Sequence, residues 1–273
     1  MSGGTRAIAA LVVPALLLAL VFVLGAAVGE QALSADFAAK NSPPSPGHPF
    51  GTDWMGRDML ARTLKGLSLS IATGLIASGV SAVIGLLVGV AAGVFPGWVD
   101  SLCNWLIDFV LGIPHIVLLI LISFAAGRGA AGVTIGIACT HWTGLARLIR
   151  GEALRIRQEP YIKISRRLGK SSGFVMRRHI LPHMLPHFIV GLVLLFPHAI
   201  LHEAAITFLG FGLSPEQPAV GIILSESMQY LAAGAWWLAV FPGAALVAAV
   251  LLFDALGERL KRLFAAGGWR EHP

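Results

Sequence analysis

At 273 residues, the chain is 56% hydrophobic and only 12% charged, with a mean hydropathy of +0.79. Soluble domains carry roughly a quarter of their residues as charges, so a soluble enzyme or binding module is excluded and an integral membrane protein follows. The formal net charge of +6 does not point to nucleic acid, because the basic excess lies in loops beside apolar runs, where it orients membrane spans.

Arg6 precedes an uncharged run over residues 7–29, long enough for a bilayer that needs about 20 apolar residues. Pro14 is tolerated near its start. The run is too long for a signal-peptide core and has no clear small-x-small exit, so no cleavable leader is predicted. Residues 30–66 turn polar and include NSPPSPGHPFG at 41–51, an extended connector, since clustered Pro and Gly cannot continue a helix. Thr52 and Asp53 are then expected to cap a short interfacial helix running from Met55 to Leu64.

The main body is residues 67–264, followed by a tail at 265–273. A second span is predicted at about 68–95, where Gly74, Gly79, Gly85, Gly89 and Gly93 permit close helix approach. A turn at Pro96 and Gly97 leads to a third span at 103–126, containing Asp108 and Pro114. The fourth is placed at 130–148, the fifth at 187–209 and the sixth at 236–256, with Trp236 and Trp237 as interface anchors. The predicted fold is all-α, with six transmembrane helices: an N-terminal helix and a five-helix core.

With six spans, one side of the membrane receives 15 Lys and Arg and the other five. That bias places both termini, and the basic interval between spans four and five, in the cytoplasm. Cys103 and Cys139 lie in apolar runs and suggest neither a disulfide nor a thiolate cluster.

The cytoplasmic loop at about 150–182 contains YIKISRRLGKSSGFVMRRHILP at 161–182. A helix from Glu152 to Leu168 is predicted to end at Gly169, which is free to take positive φ. Ser171 or Ser172 can cap a second short helix reaching His179. Tyr161, Ile162, Ile164 and Leu168 form an apolar stripe, rimmed by Lys163, Arg166 and Arg167. Such a knob suits a groove on a partner protein. Read more simply, it is a solvated basic loop that orients spans and binds anionic lipid.

A glycine followed some ten residues later by Leu-Pro, here Gly169 with Leu181 and Pro182, resembles the coupling loop of ABC importer permeases. HPFGTDWMGRDMLARTLKG at 48–66, RHILPH at 178–183, TFLGFGLSP at 207–215 and FPGAALVAAVLLFDALGERLK at 241–261 narrow the resemblance to the dipeptide, oligopeptide and nickel group. The connector residues carrying that likeness are Gly51, Thr52, Asp53, Gly56, Arg57 and Asp58. Where the family's loop has Glu-Ala-Ala, this chain has Lys163, Ile164 and Ser165. Asp254 and Glu258 also depart from the family pattern. The resemblance implies a bacterial inner-membrane subunit that pairs with a second permease, two cytoplasmic ATP-binding subunits and an extracytoplasmic substrate-binding protein. ATPase contacts would then fall on Tyr161, Ile162, Lys163, Ser165, Arg166, Arg167, Leu168, Gly169, Leu181 and Pro182.

The chain contains no G-x-x-x-x-G-K-[ST] phosphate loop, since GRGAAGVT at 127–134 lacks the lysine. No Ser-His-Asp, H-E-x-x-H or paired-carboxylate pattern suggests an enzyme, and no cofactor is implied. His198 and His202 share a helix face one turn apart with Glu203 adjacent, and ionisable residues inside spans mark functional paths. These three are the candidate translocation path. LHEAAITFLGFGL at 201–213 is closer to nickel-type members, which adds metal chelates to peptides as candidate cargo. Two histidines lack further ligands, so no metal ligand set is assigned. His115 and His141 are expected to find backbone or neighbouring-helix partners, and His179, His183 and His187 to pack at the surface. The alternative is an ATP-independent secondary transporter or channel with broken helices at matched positions.

Overall fold

The computed structural model describes residues 3–266 as a helical bundle. Its helices are α1 (Gly3–Ala27), α2 (Met59–Val94), α3 (Trp98–Gly112), α4 (His115–Ala125), α5 (Gly129–Thr140), α6 (Trp142–Arg157), α7 (Pro160–Arg167), α8 (Ser172–Val175), α9 (Leu181–Phe208), α10 (Val220–Leu231) and α11 (Trp237–Ala266). A π turn over Met176–Ile180 joins α8 to α9. We call the end carrying residues 28–58 the connector end and the opposite end the elbow end.

α2 is the hub. Beyond Lys65 the helix carries no charge, and a helix apolar on several sides belongs inside a bundle rather than at its surface; α2 contributes to each of the three largest apolar clusters. Its tightest seam is with α6. A Cβ added at Gly85 would lie 2.9 Å from the Trp142 carbonyl oxygen, one at Gly89 2.6 Å from that of Ala146, and one at Gly93 2.4 Å from the Ala153 Cβ. Glycine every fourth residue thus puts two backbones in contact, the packing mode available where lipid supplies no hydrophobic drive. Gly74 meets Phe196, but Gly79 has no neighbour within 4 Å of an added Cβ. Gly79 therefore takes no part in the expected close approach.

Several predicted spans have different boundaries in the structure. α2 begins at Met59 and continues without a break, so the separate interfacial helix from Met55 to Leu64 does not form. Its cap is Asp58, whose carboxylate accepts from the Ala61 amide at 2.8 Å, not Thr52 or Asp53. The third span is bent by 97° between α3 and α4. Ile113, held extended at φ −97° and ψ 136° by the following Pro114, breaks the helix as residues before proline tend to. The fourth divides at His141 into α5 and α6 and runs on to Arg157. The fifth starts earlier, at Ser172, and is 37 residues long when α8, the π turn and α9 are taken as one helix. Among the described residues, three helices are long and apolar enough to cross a bilayer, or four if the bent pair is one span. α5 has 12 residues and the apolar part of α1 spans Leu11–Ala27, each short of a crossing alone.

Candidate functional site

The elbow end is built on ion pairs. Arg150 donates to Asp100 from Nε and Nη2 at 2.7 and 2.8 Å, and Arg157 donates to the Gly93 carbonyl at 2.8 Å, tying α6 to α3 and to the end of α2. Arg155 donates to the Glu152 carboxylate from Nη2 at 2.5 Å one turn along α6. The chain leaves α6 at Gln158, and Pro160 starts α7, where its missing N–H costs nothing. α7 ends in a Schellman motif. Gly169 sits at φ +78°, its amide donates to the Arg166 carbonyl at 3.0 Å, and the Lys170 amide reaches Ser165 at 3.2 Å. Ser171 then caps α8 through the Phe174 amide at 3.2 Å.

The second helix does not stop at His179 as expected. It widens through the π turn and becomes α9. Pro182 has no N–H, and its ring would crowd the Arg178 carbonyl in a regular helix. In the wider turn the Leu181 amide donates to the Met176 carbonyl instead.

Ile162, placed by sequence in the outward stripe, is fully buried and packs in one cluster with Ile156, Val175, Ile180 and Met184. It anchors the elbow to the bundle. The outward face consists of Tyr161, Ile164, Leu168 and Phe174, with Leu168 73% exposed. Lys163, Arg166, Arg167, Lys170, Arg177 and Arg178 are exposed on the same α7–π-turn segment, and Lys170 lies 5.1 Å over the Phe174 ring. Ser165 is half-buried, while Leu181 and Pro182 are exposed at the start of α9.

At the connector end, the predicted residues form a knot. Asp53 Oδ1 accepts from the Met55 and Arg57 amides at 2.8 and 2.9 Å, while Oδ2 accepts from Arg57 Nε at 2.7 Å and Arg62 Nη1 at 2.5 Å. Arg62 also reaches Glu226 of α10 at 3.0 Å. Sequence reasoning missed Arg62 and Glu226. Thr52 pairs with Asp58 in a β-bridge, and Asp58 holds His48 Nδ1 at 2.8 Å. Gly51 and Gly56 adopt φ +70° and +79°, and a Cβ at Gly56 would fall 1.6 Å from the Asp36 carbonyl oxygen.

The three candidate path residues occupy different surroundings. His198 opens into a cleft of about 620 Å³ between α6, α9 and α11, whose lining includes Leu145, Glu152, His187, Lys261 and Phe264. Glu203 is fully buried and its Oε1 accepts from Thr207 Oγ1 at 3.1 Å. His202 instead meets His115 and His141, with ring centroids 4.6 to 5.0 Å apart. His115 and His141 were expected to be satisfied by neighbouring groups, yet the Nε2 atom of each is buried with no hydrogen-bond partner among the described residues.

The family described as "Binding-protein-dependent transport system inner membrane component" matches residues 85–266. The dipeptide transport system permease protein DppC of Bacillus subtilis (strain 168) is 31% identical over 222 residues, 81% of this chain and 69% of that protein. The chain belongs to this family of ABC importer permeases. A probable D,D-dipeptide transport system permease, DdpC of Escherichia coli (strain K12), is 34% identical over 235 residues, covering 85% and 78% of the two chains. The glutathione transport system permease GsiD of Pectobacterium atrosepticum is 33% identical over 226 residues, covering 83% and 75%. Among solved structures, an inward-facing MetNI methionine ABC transporter chain superposes with a TM-score of 0.61 at 22% identity, over 75% of this chain and 96% of that one. That likeness establishes the fold.

As an ABC importer permease the chain is a multi-pass, non-catalytic inner-membrane component. The region matched to the family contains both the elbow and the histidine cluster; the connector knot lies before residue 85.

Proposed function

We propose that this permease is half of the membrane path of an ATP-driven importer of short peptides, with a second permease completing the path. The elbow end faces the cytoplasm in this reading, both termini lie there, and α1 and the α5–α6 pair complete six crossings. Support for the orientation is the count of 15 basic residues against five. The elbow docks in a groove on one of two ATP-binding subunits, using Tyr161, Ile164, Leu168 and Phe174 as the apolar contact and the surrounding cations as a charged rim. Ile162, Gly169 and Pro182 shape it from behind. Closure of the ATPases on nucleotide would then push a rigid lever, because α6 and α9 carry the motion into the bundle. A substrate-binding protein would deliver cargo at the connector end.

The single observation that carries the proposal is a four-residue apolar face held outward on a fully buried base. Orienting a span needs charges but no such face. The cargo class follows from relatives named for dipeptides, D,D-dipeptides and glutathione. A metal chelate is the second reading, favoured by the histidine cluster.

The test is reconstitution of the full assembly in vesicles with the Arg166→Glu/Arg167→Glu permease. Peptide uptake is expected to fall at least tenfold while the complex still hydrolyses ATP. Unchanged uptake would remove the coupling role, and uptake by the permease without ATPases would favour an ATP-independent transporter.

A further inference from the structure

Two of the chain's helix breaks end on histidines that meet in space. His115 opens α4 after the 97° bend, and His141 stands between α5 and α6. His202, from α9, completes the group. One ring nitrogen from each lies within 4.8 Å of the others, and the rings stand nearly perpendicular to one another, at 75° to 84°.

The tautomers of two rings follow from their partners. His141 Nδ1 faces the Ile137 carbonyl at 3.2 Å and the Thr140 Oγ1 at 3.1 Å, whose own proton goes to the Gly136 carbonyl at 2.9 Å, and His202 Nδ1 faces the His198 carbonyl at 2.7 Å. A carbonyl only accepts, so both Nδ1 atoms carry the proton and both Nε2 atoms keep a lone pair. Metal-binding histidines are oriented in this way, the outer nitrogen donating to a backbone carbonyl. Packing alone gives no account of the orphaned Nε2 atoms of His115 and His141, since a buried polar atom without a partner is destabilising and phenylalanine would fill the same volume.

We propose that His115, His141 and His202 bind one divalent late first-row transition metal ion through three imidazole nitrogens. Neutral imidazoles without carboxylates suit Zn²⁺, Ni²⁺, Co²⁺ or Cu²⁺ and do not suit Mg²⁺ or Ca²⁺. A tetrahedral centre with such bonds sets its nitrogens roughly 3.4 Å apart, so modest ring movements close the site. Three ligands leave one position open for water or for a donor atom of cargo. Irregular backbone at membrane depth is tolerated where it lines a cavity or a binding site, which fits histidines at two helix breaks. Contact with metal-bearing cargo rests on the permease reading; ion binding does not.

The test uses tag-free full-length permease in lipid nanodiscs, assembled with its ATPases. Co²⁺ titration is expected to give the visible ligand-field absorption of a nitrogen-bound ion at one ion per permease. Removing one ligand, as His141→Gln or His202→Gln, is expected to weaken binding by about 100-fold, and His183→Ala to leave it unchanged. Binding by the His115→Gln/His141→Gln/His202→Gln permease equal to wild type would overturn the proposal, as would no binding by wild type. Uptake of a short peptide, with and without bound Ni²⁺, is followed in the same assemblies. Faster uptake of the Ni²⁺ form, lost in the triple variant, assigns the ion to cargo; uptake indifferent to Ni²⁺ assigns the site to free metal. Uptake without any metal binding sinks the ion site alone, whereas metal binding without ATPase assembly sinks the permease reading alone.

Discussion

Asp53→Ala is expected to destabilise the permease by about 3–5 kcal/mol, the usual cost of stranding one partner of a buried ion pair. The Arg62 side chain is only 4% exposed and donates its shortest hydrogen bond, 2.5 Å, to Asp53. Glu226 at 3.0 Å is 26% exposed and cannot replace that contact. Asp53 also holds the Met55 and Arg57 amides, so its loss frees the loop that positions Gly56. Asp53→Asn keeps an oxygen for those amides but drops the charge, and is expected to fall between wild type and alanine. Thermal unfolding of the detergent-purified chain measures the series. An alanine variant that melts with wild type would show that the knot does not hold α2 to α10.

Gly89→Val is expected to open the α2–α6 seam, at a cost on the order of 3 kcal/mol. The added Cβ would sit 2.6 Å from the Ala146 carbonyl oxygen and 2.7 Å from the Ile149 Cβ. The first of these is backbone, so relief requires moving a helix rather than turning a side chain. α6 carries the elbow, and the Arg157 bond to Gly93 lies one turn further along the same seam. Docking should therefore weaken together with stability. Gly79→Ala is the comparison: with no neighbour within 4 Å, it gains helix propensity of about 1 kcal/mol. Equal unfolding of the two variants would mean that glycine contact does not set this seam.

Local chemistry was readable from sequence. Gly169 ends a helix with positive φ, Ser171 caps the next, and the glycines spaced by four on α2 mark a close approach. Features set by distant residues were not. Thr52 and Asp53 resemble a cap in sequence because nothing local reveals that Arg62, itself held by Glu226 164 residues further on, claims Asp53 and leaves the cap to Asp58. Pro114 breaks its span while Pro186 and Pro197 remain within α9; proline alone does not tell a break from a tolerated residue. The sequence stripe puts Ile162 outward beside Tyr161, although adjacent helical residues are about 100° apart and cannot share a face. The one-turn spacing of His198 and His202 is visible in the sequence, whereas His115 and His141 lie far from His202 along the chain. Their one local signal was position, each standing next to a point where the helical pattern falters.

The central claim is that the elbow is gripped by an ATP-hydrolysing neighbour. A photoreactive side chain at position 168, where Leu168 is 73% exposed, tests it most directly in the assembled complex. Irradiation is predicted to join the permease to an ATP-binding subunit, with a yield that changes on nucleotide addition. Crosslinks to lipid alone, or none at all, in a complex that still imports cargo would contradict the account.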